Sequence, residues 1–135
     1  MKVLEVIVLI GEVDPRGLTV HEPGAKLDQG KPEYHRVLRD FPRAFEHVAK
    51  VAQYGAEKYS EGGWRHVQEG QTRYTNALIR HVVLEGKEGT FDKDSNMLHA
   101  AHAAWNALAR LELLLTNAGG ESWFQAALDK GDAHD

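Results

Sequence analysis

The sequence contains no cysteine, which excludes disulfide bonds and thiolate metal sites and suits a reducing cytosol. It also lacks a long hydrophobic run. The N-terminal apolar stretch VLEVIVLIG is short, carries Glu5 and precedes no small-residue cleavage site, so we expect neither a signal peptide nor a membrane span. An excess of positive charge is absent too, since the net charge is −4 with neutral histidines. Bulk electrostatics therefore gives no reason to expect a nucleic-acid polymer as partner.

Several common catalytic motifs are missing as well. The chain has no glycine-rich P-loop, no dinucleotide-binding fingerprint and no G-x-S-x-G elbow. An adjacent His-Asp pair, which marks the HD phosphohydrolases, occurs only at the extreme end of the chain, at His134 and Asp135. These absences argue against the corresponding enzyme families.

Length and patterning predict one domain over residues 1–135. Val3 to Ile10 is rich in β-branched residues and predicts one short strand, which needs a pairing partner such as a second copy of the chain. Residues 11–40 carry four glycines and three prolines and predict an ordered but irregular arm. We therefore divide the chain into a strand and arm (1–39), a helical core (40–130) and a polar tail (131–135).

The helical core is predicted to contain four helices. The first is capped by Asp40 and has Pro42 in its opening turn. Its apolar residues recur at helical spacing and form a stripe of Phe41, Phe45, Val48, Ala49 and Ala52. The second covers about Arg73 to Leu84, the third begins at a Ser95 N-cap and ends before Gly119, and a short fourth covers about 122–129. The predicted fold is mainly α, a small four-helix bundle with an extended N-terminal arm and one short N-terminal strand.

The third helix places polar groups in an alanine-rich wall. In SNMLHAAHAAWNALARL, the residues His99, His102 and Asn106 are three and four apart and share one helix face. Imidazole groups on one face can converge on a metal ion. A buried histidine is, however, more commonly a hydrogen-bonded core residue, so the spacing leaves both interpretations open.

The second helix and the loop after it strengthen the metal interpretation. His81 and Glu85 are four apart on one face, and the following loop carries Asp92 and Asp94. Both aspartates could instead simply precede and cap the third helix, where a negative charge is favourable because the N-terminal end of a helix is positive. We adopt this interpretation for Asp94 only. A hairpin of these helices would bring five groups together: His81, Glu85, Asp92, His99 and His102. Mixed nitrogen and oxygen ligands suit Mn, Co, Fe, Ni or Zn, whereas a carboxylate-dominated set would suit Mg.

Cationic and aromatic residues alternate with glycines in two other segments. GAEKYSEGGWRH presents Lys58, Tyr59, Trp64 and Arg65, and GAKLDQGKPEY presents Lys26, Asp28 and Lys31. Arg80 adds a positive group beside His81. Single charges of this kind are usually surface residues, but the combination can bind phosphate through Arg and Lys and a base through an aromatic ring.

Read in order, the segments KLDQGKPEY, GAEKYSEGGWRH, RYTNALIRH and FDKDSNMLHAAHAAWNAL resemble a phage-associated family of dATP/dGTP diphosphohydrolases. That family is grouped with the MazG-like all-α nucleotide pyrophosphohydrolases and includes MazZ-type enzymes. The resemblance covers roughly Lys26 to Leu115. It implies hydrolysis of dGTP or dATP to the monophosphate and pyrophosphate with Mg, Mn or Co, in the cytoplasm of the host cell. It also implies homodimers or homotetramers and a link to 2-aminoadenine nucleotide synthesis.

By position, the resemblance implies roles for named residues. The expected metal ligands are His81, Asp92, His99 and His102. Expected substrate-binding residues by position are Lys26, Asp28, Lys31, Lys58, Tyr59, Trp64 and Arg65. Apart from the resemblance, we expect Arg80 to hold phosphate oxygens and Asn106 to hydrogen-bond the base or sugar. Metal-activated water would attack the α-phosphorus, with Glu57 or Glu85 as general base where the metal alone is insufficient.

The chain also departs from the family pattern. Asn96 stands where Gly is usual, Glu88-Gly89 reverses the usual Gly-Glu order, and His-x-x-His replaces the acidic motifs of typical MazG proteins.

Two rival functions remain open. One is a di-metal oxidase, although no Glu precedes a His by three in the second or third helix. The other is a non-catalytic helical module that dimerises and binds nucleotide, with the histidines as packing groups.

Overall fold

The computed structural model describes residues 12–116, which form two compact units divided between Asp40 and Phe41. The predicted strand at 3–10, the short helix at 122–129 and the polar tail lie outside the described residues. The organisation of the whole chain as a single domain stays a prediction. Among residues 12–116 no helix is long and apolar enough to cross a membrane.

The first unit consists of successive turns that lead into a short helix, α1 (His35–Asp40). Asp14 organises the turns, since its carboxylate accepts the backbone N–H of Arg16 at 2.6 Å and that of Lys26 at 2.7 Å. A backbone hydrogen bond from Gln29 to Val13, 3.0 Å long, lies beside this anchor. The predicted irregular but ordered arm is thus confirmed for the described part of the chain.

The second unit contains three long helices: α2 (Pro42–Lys58), α3 (Gly70–Glu88) and α4 (His99–Thr116). A short 3₁₀ segment, Gly63–His66, lies between α2 and α3. Helices α3 and α4 form a hairpin, and α2 packs on α4. The mainly α fold is confirmed, since the described residues contain four α-helices and no strand.

Helix boundaries differ from the predicted ones at two caps. Asp40 is not an N-cap, because it ends α1 and Phe41 precedes Pro42 without a side-chain capping bond. Proline fixes its own φ and disfavours a helical residue before it, so the break falls at Phe41. Ser95 is not an N-cap either: α4 begins four residues later, at His99, and the Ser95 side chain is used elsewhere.

The core that holds the site is small and partly polar. Its buried apolar residues in the second unit are Val51 on α2 and three alanines of α4, namely Ala101, Ala103 and Ala109. The apolar stripe that the sequence suggested for α2 is largely exposed, with Phe41 at 56% and Phe45 at 47%. The face of α2 that is buried contains Val51 instead, because this is the face that meets α4.

Candidate metal and phosphate site

Two histidines from adjacent helices point ring nitrogens at each other. The Nδ1 atom of His81, on α3, lies 3.0 Å from the Nδ1 atom of His99, the first residue of α4. The side chain of His99 is fully buried, and its Nε2 atom lies 3.2 Å from Oε2 of Glu88. Glu88 is an acceptor, so the Nε2 atom of His99 carries a proton and its Nδ1 lone pair is directed to His81.

A carboxylate joins this pair from the connection between the helices. Asp92 has a side chain that is only 12% exposed, and it lies with His81 and His99 in a group whose ligand atoms are all within 4.8 Å of one another. Backbone hydrogen bonds close the connection around it. The Asp92 N–H donates to Met97 over 2.7 Å and the His99 N–H to Thr90 over 3.0 Å. This tight loop sets the carboxylate beside the start of α4.

The loop requires one left-handed residue. Asn96 has φ of +59° and its N–H donates to the Asp92 carbonyl over 2.8 Å. Asn adopts this conformation more readily than most residues with a Cβ, as its short polar side chain bonds locally. Asn96 thus adopts a left-handed conformation at the position where the family pattern has Gly.

The surroundings of Asp92 and His81 favour the forms of these two groups that can bind a metal ion. Burial by itself would raise the pKa of Asp92. Hydrogen bonds from the hydroxyl and amide of Ser95, together with nearby His102, outweigh it and lower that pKa. Burial lowers the pKa of His81, and the neighbouring His102 lowers it further. Burial also lowers the pKa of His102, although the negative charge of Asp92 acts in the opposite direction. At neutral pH, Asp92 is thus ionised, and the imidazoles of His81 and His102 are neutral.

The donor set fits a divalent transition metal. Two imidazole nitrogens and one carboxylate oxygen are ligands that Mn, Co, Fe, Ni or Zn accept, whereas Mg prefers oxygen. His81, Asp92 and His99 could therefore hold an ion between α3 and α4.

The fourth expected ligand, His102, is not a member of this group. Its Nε2 atom lies 2.7 Å from the hydroxyl of Ser95 and 3.7 Å from Oδ2 of Asp92, and its ring stacks on that of His81. Asn106 lies one turn further along α4 and is buried, with its side-chain amide donating to the His102 carbonyl over 2.8 Å. That bond uses one of the two protons of the side-chain amide, and the assignment of Asn106 to substrate binding stays a prediction.

The segment GAEKYSEGGWRH contains the end of α2 and the 3₁₀ segment that follows it. Lys58 is exposed at the end of α2, with its Nζ atom 5.3 Å from the Tyr59 ring centre and 5.7 Å from that of Tyr54. A hydrogen bond with Tyr59 raises the pKa of Lys58, so the ammonium stays charged. The Tyr59 ring is 77% exposed. Arg80, on α3 next to His81, is exposed as well.

Trp64 is more constrained than Tyr59. Its ring packs edge-to-face against Tyr74 and Trp105, with centroids 6.3 and 5.8 Å away. The Arg65 guanidinium lies over it, 4.7 Å from the ring centre, and the Tyr74 hydroxyl donates to the Trp64 carbonyl. Trp64 thus belongs to a packed aromatic cluster with Arg65 already against its ring.

The arm residues are described within the first unit alone. Lys26, Asp28 and Lys31 are exposed, and Lys31 forms an ion pair of 3.6 Å with Glu12. Their backbone is ordered by turns, including a bond of 3.1 Å from the Lys31 N–H to the Asp28 carbonyl. Their assignment to substrate binding stays a prediction.

The two candidate general bases are exposed carboxylates. Glu57 lies one residue before the end of α2 and accepts a hydrogen bond of 3.3 Å from Gln53, and Glu85 lies four residues after His81 on α3. Neither belongs to the group of His81, Asp92 and His99. The carboxylate that does contact a histidine of this group is Glu88.

Sequence reasoning missed two residues that contact the group. Glu88 has no role in the predicted site, because its order with Gly89 is reversed, but its position at the end of α3 brings it to His99. Ser95 matches the pattern of a helix N-cap, which hides its side-chain bond to Asp92. The D-x-x-S spacing from Asp92 to Ser95 was the available signal, because Ser and Asp three residues apart commonly bond in turns.

The sequence of the chain is similar to those of known proteins. The chain is 36% identical over 81 residues to a Salmonella phage PMBT28 protein named dATP/dGTP diphosphohydrolase, an alignment covering 60% of this chain and 26% of that protein. The chain thus spans about a quarter of the length of the curated relative that it matches. No solved structure matches it significantly. The sequence model of the family described as "dATP/dGTP diphosphohydrolase, N-terminal" matches residues 21–122, most of the chain, and the chain therefore belongs to that family.

Proposed function

We propose that this protein hydrolyses a purine deoxynucleoside triphosphate, dGTP or dATP, to the monophosphate and pyrophosphate. The observation that carries the proposal is that ligand atoms of His81, Asp92 and His99 lie within 4.8 Å of one another beside the start of α4. Family membership and the name of the phage relative support the substrate class. Water attacks the α-phosphorus, a new P–O bond forms, and the α–β anhydride bond breaks to release pyrophosphate.

The group of His81, Asp92 and His99 would hold the divalent cation. Mn or Co suits this donor set better than Mg, because two of the three donors are nitrogens. A bound cation would supply Lewis-acid charge that lowers the pKa of a water and offsets charge on the leaving pyrophosphate. The protein contributes fixed geometry, since His99 is fully buried and held by Glu88.

The exposed cations of the second unit are suited to the triphosphate. Lys58 provides a mobile positive charge, and Arg65 and Arg80 provide planar donors for phosphate oxygens. For the purine we favour Tyr59, since its ring is 77% exposed, whereas the Trp64 ring already contacts Arg65, Tyr74 and Trp105. On the arm, Lys26 and Lys31 are further phosphate-binding candidates, and Asp28 could hydrogen-bond the base or sugar.

Glu57 or Glu85 takes the proton of the attacking water. Both are exposed carboxylates on helices of the second unit, and Glu85 shares a face of α3 with His81. Glu88 is less suited to this role, because its carboxylate is already engaged with the Nε2 atom of His99. Loss of turnover at saturating metal in Glu85→Gln, but not in Glu57→Gln, would assign the base.

Turnover with product analysis tests the function. Purified protein is incubated with dGTP or dATP and with Mg, Mn or Co, and pyrophosphate, phosphate and triphosphate are measured separately. We expect equal amounts of monophosphate and pyrophosphate, with higher rates in Mn or Co than in Mg. Release of triphosphate, or no turnover with any metal, would contradict the proposal. Replacement of His99 by Ala should abolish metal-dependent turnover.

We further propose that the chain forms homo-oligomers. Helix α3 exposes Ile79, Val82 and Val83 at 52%, 61% and 53%, and α4 exposes Leu108, Leu111 and Leu115 at 50–58%. Apolar side chains grouped in this way on one helix mark interaction surfaces. Light scattering coupled to size exclusion would give the mass, and a monomer at micromolar concentration would contradict the proposal.

A further inference from the structure

A serine lies between the Asp92 carboxylate and the ring of His102. The Ser95 Oγ atom is 2.7 Å from Oδ2 of Asp92 and 2.7 Å from Nε2 of His102, and it accepts the backbone N–H of Met97 over 3.2 Å. The backbone N–H of Ser95 donates to the same carboxylate oxygen over 3.1 Å. Asp92, Ser95 and His102 thus form a continuous chain of short hydrogen bonds.

The direction of these bonds follows from counting protons. An ionised carboxylate only accepts, so the single hydroxyl proton of Ser95 is donated to Asp92. The Ser95 oxygen is then an acceptor toward His102, and the Nε2 atom of His102 carries the proton between them. A protonated ring nitrogen has no free lone pair for a metal ion. The His102 nitrogen nearest the carboxylate is therefore committed to Ser95.

We propose that Ser95 and His102 are positioning residues that orient the Asp92 carboxylate toward His81 and His99, and that His102 is not a metal ligand. The inference rests on the proposed metal-dependent function. Partners that orient a metal-ligating side chain commonly change metal affinity about 10–100-fold when they are removed. Such an effect is large enough to measure on the protein without nucleotide.

Three neighbouring residues contact His102 and fix its position, as its proposed role requires. Its ring is parallel to that of His81, with centroids 4.5 Å apart and planes 7° apart, and it meets the edge of Tyr54 at 6.2 Å. Asn106 binds its backbone carbonyl. One imidazole therefore contacts the ring of one proposed ligand directly and reaches the second, Asp92, through Ser95.

The number of ligating imidazoles can be counted with Co²⁺. Each coordinated histidine contributes one exchangeable, hyperfine-shifted ring N–H signal to the proton spectrum of the Co²⁺ protein. We expect two signals in the unmodified protein and the same two in His102→Gln, where the amide can still donate to Ser95. Loss of a signal in His102→Gln would show that His102 is a ligand and would overturn the inference, while leaving the proposed function intact.

The role of Ser95 is measured by Co²⁺ titration calorimetry. Ser95→Ala should weaken binding about 10–100-fold, and Ser95→Thr, which keeps the hydroxyl, should restore it. In an Asp92→Asn background the same Ser95→Ala change should have little further effect, since its partner is already altered. Additive losses in the double variant would contradict positioning through Asp92. Ser60→Ala, in the exposed segment after α2, is the matched control.

A metal-free measurement separates this inference from the proposed function. Nitrogen-15 shifts of the imidazole rings report which nitrogen carries the proton, and we expect the Nε2–H form for His102, lost or redistributed in Ser95→Ala. An Nδ1–H form in the unmodified protein would overturn the inference whether or not metal binds. Failure of the unmodified protein to bind Co²⁺ or Mn²⁺ would instead overturn the metal-dependent function.

Discussion

His81 and His102 lie ring over ring, with their centroids 4.5 Å apart and their planes 7° apart. The two rings belong to different helices, so their stacking joins α3 to α4 at the level of the site. Burial lowers the pKa of both histidines, and neutral rings stack without charge repulsion. The contact thereby packs both rings together, while the Nδ1 atom of His81 faces His99.

A His81→Phe variant separates those two roles. The phenyl ring can keep the stack on His102, but it has no nitrogen to face His99. We expect the thermal unfolding midpoint to change little. Metal affinity should fall by more than about 100-fold, because removing a ligand costs more than the about 10–100-fold loss typical of a residue that only orients a ligand. Calorimetry with Mn²⁺ or Co²⁺ and circular dichroism measure these quantities. His66→Phe, in the exposed 3₁₀ segment, is the control, and unchanged metal binding in His81→Phe would exclude the ligand role.

Glu88 should matter through His99 rather than through the substrate. Its Oε2 atom lies 3.2 Å from Nε2 of the fully buried His99, and it directs the Nδ1 lone pair of that ring toward His81. Glu88→Ala should reduce metal affinity about 10–100-fold, while Glu88→Gln keeps an acceptor oxygen and should have a smaller effect. Titration calorimetry gives both values. Equal losses in the two variants would show that the charge of Glu88, and not its acceptor, is required.

The matched control for Glu88 is Glu112→Ala, an exposed carboxylate on α4. It removes one negative charge from the second unit without touching the histidines. A loss of affinity in this control equal to that in Glu88→Ala would point to bulk charge as the cause.

Much of the site was predictable because it depends on helix periodicity and one short loop. His81 four residues before Glu85, and His99 three before His102, place imidazoles on facing sides of a hairpin once the two helices are recognised. The loop between them is too short to move Asp92 far from the start of α4. The convergence of His81, Asp92 and His99 therefore follows from local features of the sequence.

The rest could not be predicted from spacing, because it depends on which atoms compete for each bond. Ser95 has the features of an N-cap, yet its hydroxyl bonds to Asp92 and His102, and α4 begins only at His99. Periodicity likewise could not tell which apolar face of α2 meets α4. Phe45 belongs to the predicted apolar stripe, and Val51 lies on another face of the same helix. Which face is buried depends on the neighbouring helix, and in the structure the buried residue is Val51.

Asn96 provides a test of the loop that carries Asp92. Its φ of +59° is costly for most residues with a Cβ and free of strain for glycine. We expect Asn96→Ala to lower the free energy of unfolding by about 1 kcal/mol and Asn96→Gly to leave it nearly unchanged. Urea denaturation measures both. A stability of Asn96→Ala equal to that of the unmodified protein would mean that the loop adopts another conformation.

Asp14 should make the order of the arm depend on pH. Backbone hydrogen bonds from Lys26 and then Arg16 lower the pKa of this carboxyl below its ordinary value. A lowered pKa in the folded state means that ionised Asp14 stabilises the arm above the ordinary Asp pKa of about 3.9. That contribution is lost as the pH falls through the lower, folded pKa, so the turns should hold at pH 5 and loosen in stronger acid.

Amide chemical shifts follow this transition directly, because the N–H groups of Arg16 and Lys26 are the donors. Both resonances should titrate together, with a midpoint below about 3.9, and both should lose that titration in Asp14→Asn, which keeps one acceptor oxygen but no charge. Asp40→Asn, at the exposed end of α1, should leave the titration unchanged. A midpoint at or above the ordinary Asp value would show that the two amides do not stabilise the carboxylate. The position of Lys26 would then have to depend on other contacts of the arm.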